Sequence, residues 1–282
     1  MKTPRHIILS LVLAALVLPG VASRAEPAGA AADRRLALDY TVYIGGFRVV
    51  DIALKAELAD RAYRINMDLK AQGLLNMILD WSMSANSSGK MVGRKIVPVK
   101  AGHDSRWRGK QRRIRLRYSK GFAPTVESVP PATSDDRRIV GPEDRLGARD
   151  LAGGILATLL AVGGADSCTH TEPVFDGRRR FDIVFDEVAR DRLKPSDYSP
   201  FGGMALRCTL TIKRIAGFRL RQSRYRWMSG GKATVWIGRV FAGAPPVMVR
   251  MEMETAFGPL RAHLSGAARH PGNEILRLPT KH

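Results

Sequence analysis

Residues 63–70 read Tyr-Arg-Ile-Asn-Met-Asp-Leu-Lys, an unbroken alternation of apolar and polar side chains. Successive side chains of a β-strand point to opposite faces, so Tyr63, Ile65, Met67 and Leu69 share one face and Arg64, Asn66, Asp68 and Lys70 the other. A helix would scatter the same four apolar groups over two sides. The stretch is therefore a strand with one buried and one wet face. Upstream, residues 36–43 and 47–54 are rich in β-formers and flank Gly45-Gly46, the pattern of a hairpin, so the first three strands form an antiparallel meander. Downstream, residues 73–79 break the alternation with a short apolar run, predicted as a helical turn capping one end of the sheet. Strand signals resume from Trp81 to Met91, at residues 96–99 and from Arg113 to Tyr118.

The segment from Val129 to Asp136, with Pro130-Pro131, is the most loop-like in the chain. Leu146–Val162 carries apolar residues at helical spacing and ends at Gly163-Gly164, so it is the one long helix expected, placed over a side or end of the sheet. Strand patterning returns in Arg180–Phe185, Leu206–Ile215, Arg219–Arg226, Ala233–Val240, Val247–Glu254 and Leu260–Leu264. Such a series predicts a mainly β fold built as a large curved antiparallel sheet, a half-barrel or β-spiral, with one covering helix. Its layout is a signal peptide at 1–25, a leader at 26–35, a single β-rich domain at 36–266 and a C-terminal tail at 267–282. In a curved sheet Tyr63, Ile65, Met67, Leu69, Met251 and Met253 are candidate walls for an apolar ligand, since the flexible thioether of Met adapts to varied shapes. Filling a core is the other use of the same residues.

Lys2 and Arg5 precede an apolar run from Ile7 to Leu18, broken by Pro19-Gly20 before the small-residue stretch ending at Ala25. That is the pattern of a secretory signal peptide, with cleavage after Ala25. The run is too short to span a bilayer core of roughly 30 Å. With no cysteine near the cleavage site to carry a lipid, a periplasmic protein without a transmembrane anchor is expected. Cys168 and Cys208, the two cysteines of the chain, are expected to pair in an oxidising compartment.

The formal net charge of +20 is strongly basic, and loss of residues 1–25 removes only three of the cations. A field of this sign attracts polyanions. Export argues against nucleic acid and for anionic lipid head groups or acidic envelope polymers. Within residues 106–120, Arg106, Arg108, Lys110, Arg112, Arg113, Arg115, Arg117 and Lys120 form a basic stripe interleaved with Trp107 and Tyr118. Arg113, Arg115 and Arg117 share the face opposite Ile114 and Leu116 and are candidate anion ligands, because guanidinium matches phosphate and carboxylate geometry. The same charges on a strand edge would guard against aggregation.

Residues 175–182, Phe-Asp-Gly-Arg-Arg-Arg-Phe-Asp, set Asp176 and Asp182 around three arginines. Asp176-Gly177 is a tight-turn signal, which favours a turn with ion pairing over acid–base work. The histidines beyond the signal peptide, His103, His170, His263, His270 and His282, have no zinc-site spacing, so neither a metal nor another cofactor is expected. Gly202-Gly203 reads as a turn, and no nucleophile elbow, phosphate loop or dinucleotide fingerprint occurs.

The early Leu-Asp-Tyr-Thr-Val-Tyr-Ile-Gly-Gly hairpin, the mid-chain helix, Phe175–Asp182 and Cys208 together resemble the bacterial domain-of-unknown-function family 3108. The resemblance runs over roughly Leu36 to Gly266, and Phe-Asp-Gly-Arg-Arg-Arg-Phe-Asp is its most distinctive piece. It implies a periplasmic β-rich domain similar to the half-barrels of lipoprotein carriers, and it carries over no catalytic residue. The expected function is a non-enzymatic cell-envelope protein binding a lipid or other amphiphile in the curved sheet. An enzyme acting on an envelope polymer through Asp176, Asp182 or His103 is the alternative, as is an interaction module docking on an anionic surface or partner.

Overall fold

The computed structural model describes residues 34–131, 139–218 and 232–279. The expected signal peptide, most of the leader, the loop at 132–136 and the strand at 219–226 lie outside them. The described elements are β1 (Arg34–Ile44), β2 (Phe47–Leu58), β3 (Ala62–Ala71), α1 (Gly73–Leu79), β4 (Ser82–Val92), β5 (Lys95–Trp107), β6 (Lys110–Arg117), β7 (Thr125–Val129), α2 (Pro142–Arg145), α3 (Leu151–Ala165), β8 (His170–Phe175), β9 (Arg180–Leu193), β10 (Gly203–Ala216), β11 (Ala233–Gly238), β12 (Val247–Thr255), β13 (Gly258–His270) and β14 (Glu274–Arg277).

All the strands belong to one sheet in the order β7-β6-β5-β4-β3-β2-β1-β13-β12-β11-β10-β9-β8, with β14 also pairing with β13. Two meanders thus meet where the first strand pairs antiparallel with β13, Tyr40 opposite Leu264. The β1–β2 hairpin turns at Gly45 and Gly46, whose φ values of 57° and 90° suit glycine. Residues 267–270 continue β13, and β14 pairs with Gly266–Arg269. The sheet therefore runs past Gly266, the expected end of the β-rich domain, and Leu276 packs against the core.

The edges β7 and β8 are not hydrogen-bonded to each other, yet the sheet curls enough to bring them near. Ala101, Ile114 and Leu116 of the first meander share an apolar cluster with Phe175 and Ala216 of the second. Gly177, in the turn after β8, sits so close to Ile114 that a Cβ there would come within 2.3 Å of Ile114 Cγ2. The α2 turn bridges the same gap, since Arg145 donates to the Pro124 carbonyl at 3.1 Å and lies over the Phe175 ring at 5.7 Å. Side chains close the curl where backbone pairing stops.

The long helix is shorter at its start than Leu146–Val162. Gly147 has φ 76°, which ends the preceding turn, and Asp150 caps α3 by accepting from the Gly153 amide at 2.8 Å. Apart from Thr158 every residue of α3 is apolar or glycine, and a helix apolar on all sides belongs in an interior. It packs against β3, β4, β5 and β8. Ala152, Leu156 and Leu160 join Leu38, Tyr63, Ile65, Met67, Val249 and Leu264 in the main core. Fully burying one such aliphatic side chain contributes roughly 1.5–3 kcal/mol. Gly163 continues the helix instead of stopping it, because the bare backbone lets Pro246 approach to where a Cβ would lie 2.7 Å from Pro246 Cδ. Beyond α3, Cys168 and Cys208 form a fully buried disulfide that ties the chain entering β8 to β10.

Candidate functional site: a cationic aromatic cleft on the outer face

Register sorts the faces. Thr41, His263 and Arg250 lie side by side across β1, β13 and β12, while Val42, Ala262 and Met251 occupy the next row. Tyr40 and Leu264 are in the core, so alternation puts Thr41, His263 and Arg250 on the outer face. Trp236 continues that row, paired opposite Arg250, and is itself buried with the core at 8% exposure.

The loop between β9 and β10, residues 194–202, folds back over this row. Ser196 organises it: its hydroxyl accepts from the Tyr198 and Ser199 amides at 3.3 and 3.2 Å, and its own amide donates to the Ser199 carbonyl at 2.8 Å. Phe201, only 2% exposed, anchors the end of the loop. It fills the space over Gly238, where a Cβ would meet the Phe201 ring at 2.6 Å. A loop held at both ends presents Tyr198, which remains half exposed, against His263. The two rings stack at 5.5 Å, and Tyr43 meets Tyr198 edge-on at 5.2 Å.

Clefts open on both sides of the loop and share Ser196, Arg250 and His263. One, of about 290 Å³, also includes Arg192, Lys194 and Ser199. The other, of about 250 Å³, includes Tyr43, Tyr198, Arg261 and Pro259. Glu252 accepts from Arg250 Nε at 3.0 Å and from Arg261 Nε at 3.2 Å, so one carboxylate stands against two guanidinium groups. Arg250 also lies over the Trp236 ring at 4.8 Å, and the indole donates to Asp191 at 2.8 Å. Burial, and then the charge of Arg250, push the His263 imidazole below its ordinary value, so it is neutral at neutral pH. The result is a walled, net-cationic surface with aromatic faces and hydroxyls, able to hold anions and planar or ring-shaped groups.

The residues singled out from sequence fall elsewhere. Tyr63, Ile65 and Met67 are buried in the core with α3, and Leu69 packs against it half buried. Met251 borders the apolar cluster around the disulfide, and Met253 is half buried farther along β12. These six side chains therefore do not converge on one open wall. Arg113 and Arg115 both bind Asp104, at 2.9 and 2.7 Å, and Arg117 stands 3.8 Å from Glu127. Asp176 accepts from the Arg178 and Arg179 amides at 2.9 and 2.7 Å, as a turn residue does, and Asp182 pairs with Arg180 at 2.6 Å. His103 is lowered by burial, with Asp176 the largest opposing influence. Among the described residues no cluster of three or more His, Cys, Asp or Glu side chains is placed to hold a metal ion.

The sequence alone did not mark Tyr198, His263, Arg250 and Arg261 as members of one site. Their only local signal is the spacing Arg250-x-Glu252 and Arg261-x-His263 on polar strand faces. Pairing between β12 and β13 turns that spacing into a site.

Fold and cleft together define a mainly β protein, an open sheet curled around an apolar helix, with a cationic aromatic cleft outside. The chain belongs to DUF3108, a family described as proteins of unknown function, which matches residues 39–265. No curated protein matches it in sequence. Among solved structures, a "beta-barrel-like protein of domain of unknown function DUF1849" from Brucella abortus is 10% identical, with a TM-score of 0.46 over 84% of this chain and 97% of that one. A "putative lipoprotein" from Parabacteroides distasonis is also 10% identical, with a TM-score of 0.27 over 87% of this chain and 96% of that one. Both likenesses are loose, and the family rests on the sequence match.

Proposed function

We propose that the protein is a non-enzymatic binding protein of the periplasmic cell envelope, and that it holds an acidic envelope glycan in the outer cleft. The observation that carries this reading is the ring cluster of Tyr43, Tyr198 and His263 set beside Arg250 and Arg261. Aromatic faces suit the apolar side of a sugar ring, and guanidinium groups suit its carboxylate or phosphate. The concave side of the sheet supports an apolar ligand less well, since Tyr63, Ile65 and Met67 already pack in one core with Leu156 and Leu160.

The test is binding of the purified protein to polygalacturonate, lipopolysaccharide and neutral dextran at two salt concentrations. Acidic polymers should bind and dextran should not, with binding weakened by salt. The double change Arg250→Gln with Arg261→Gln should lower affinity about tenfold or more while the fold, read by circular dichroism, is kept, given about 1.5–3 kcal/mol for a hydrogen bond to a charged group. Equal binding of dextran, or loss only when Arg113, Arg115 and Arg117 are changed, overturns the assignment to the cleft.

A further inference from the structure

One end of the curled sheet carries exposed large apolar side chains on neighbouring tips. Phe257, at the tip of the β12–β13 hairpin, is 64% exposed, and Phe47, beside the β1–β2 turn, is 75% exposed. The two tips touch: the Gly45 amide donates to the Pro259 carbonyl at 3.2 Å. Next comes α1, whose Met77 and Ile78 are 82% and 66% exposed. It is held to β2 by the Gln72 amide donating to the Val49 carbonyl at 2.8 Å. The β5–β6 tip completes the row, with the Arg108 amide on the Leu79 carbonyl at 2.8 Å and Trp107 40% exposed.

Single exposed apolar residues are ordinary on any surface, but several gathered on adjoining tips at one end of a sheet mark a contact. Here cations accompany it. Arg48, Arg106, Arg108 and Lys110 stand along the row, while Asp51 and Asp80 pair with Arg48 and Arg106. Apolar and aromatic tips flanked by Lys and Arg are the composition of a surface that sits at a membrane interface, where each cation near an anionic bilayer contributes about 1 kcal/mol. No described helix is long and apolar enough to cross a membrane.

We propose that this row docks on an anionic phospholipid bilayer. Phe47, Met77, Ile78 and Trp107 enter the head-group region, and the neighbouring cations meet lipid phosphates. The inference is independent of the glycan reading, although Gly46 and Pro259 belong to the same tips and also line the cleft. Docking therefore brings the cleft to the level of the head groups.

The test is flotation of the full protein with vesicles of phosphatidylcholine alone and of phosphatidylcholine mixed with phosphatidylglycerol. The mixed vesicles should carry the protein, more strongly at low salt, with a blue shift of tryptophan emission. Phe47→Ser combined with Met77→Ser and Ile78→Ser should reduce that partition at least tenfold without moving Tm, because all three side chains are exposed. Tyr198→Ser, which removes a ring of the cleft but no charge, should weaken glycan binding and leave partition unchanged, which separates this result from failure of the glycan reading. Protein that stays unbound at low salt, or partition unaffected by the triple change, overturns the proposal. So does a triple change that converts a dimer to a monomer in sedimentation while vesicles bind nothing, since the row is then an interface between copies.

Discussion

The inner face of β3 and the outer faces of β12 and β13 follow the same alternating rule and meet opposite fates. Tyr63, Ile65 and Met67 project into space that α3 occupies, and they end buried. Arg250, His263 and Arg261 project outward, where residues 194–202 cover them only in part and leave clefts. Alternation decides which face a side chain takes, whereas a distant segment decides whether that face becomes core or site. In each case that segment is joined to the strand by contacts that no local spacing records.

The sharpest way to break this contrast is to thin the helix. Leu156 is 5% exposed and belongs to the core cluster containing Tyr63 and Met67. Leu156→Ala should cost about 2–5 kcal/mol, read as a lower urea midpoint with unchanged slope. If the concave side were open ligand space, the same change would leave stability nearly intact and increase uptake of an apolar fluorescent probe.

Much of the architecture was legible for physical reasons. Strand patterning marked β1 to β4, β6, β10 to β13 and the start of β5 at residues 96–99, while Gly45-Gly46 and Asp176-Gly177 marked the β1–β2 and β8–β9 turns through the positive φ that glycine accepts. The cysteine pair was likewise readable from the signal-peptide pattern and the number of cysteines. The second half of β9 was not, because Asp186–Arg192 is charged on both faces. Nor was the place of α3 inside the curl, although its lack of a polar face was already visible in residues 151–165 and pointed to an interior. The cleft stayed hidden because its members come from four separate segments.

A second prediction concerns the polar thread that crosses the filled side. Asp150 caps α3 while accepting from the Ser87 hydroxyl at 2.8 Å, and Tyr63 OH lies 3.0 Å from the same hydroxyl. Burial raises the Asp150 carboxyl from 3.8 to about 6 in the fold, against the hydrogen bonds from Gly153 and Ser87 that lower it. A raised folded value means that the proton-bound form adds stability fully present below pH 3.8 and lost as pH rises through about 6. At 1.36 kcal/mol per unit this is on the order of 3 kcal/mol. The lowered His103 and His263 act in the opposite sense, destabilising as pH falls below their ordinary value of 6.5. Subtracting a variant isolates the carboxyl. Asp150→Asn keeps an acceptor for the Gly153 amide, so its stability relative to the parent should improve between pH 4 and pH 7 in urea titrations. A difference that does not change with pH would show that Asp150 is not the titrating group.

The smallest effects should come from the basic stripe, where they sharpen the outer half of the contrast. Arg113, Arg115 and Arg117 all lie on one face of β6, but their surroundings differ. Arg117 is 65% exposed and distant from its carboxylate at 3.8 Å, so Arg117→Gln should change stability by no more than about 0.5 kcal/mol. Arg113 is equally exposed but closer to Asp104, which also binds Arg115, so its loss is compensated by the pair that remains. Arg115 is different. Its guanidinium donates to the Ile114 carbonyl at 2.9 Å as well as to Asp104 at 2.7 Å, and its side chain is only 35% exposed. Arg115→Gln should therefore cost more than either neighbour, about 1 kcal/mol or somewhat above, by the usual net value of such bonds. Urea titrations of the three single changes decide the ranking. Equal losses would mean that the stripe acts as one charged surface, whereas a dominant Arg115 means that the register of β5 and β6 has already turned one of the three cations into structure.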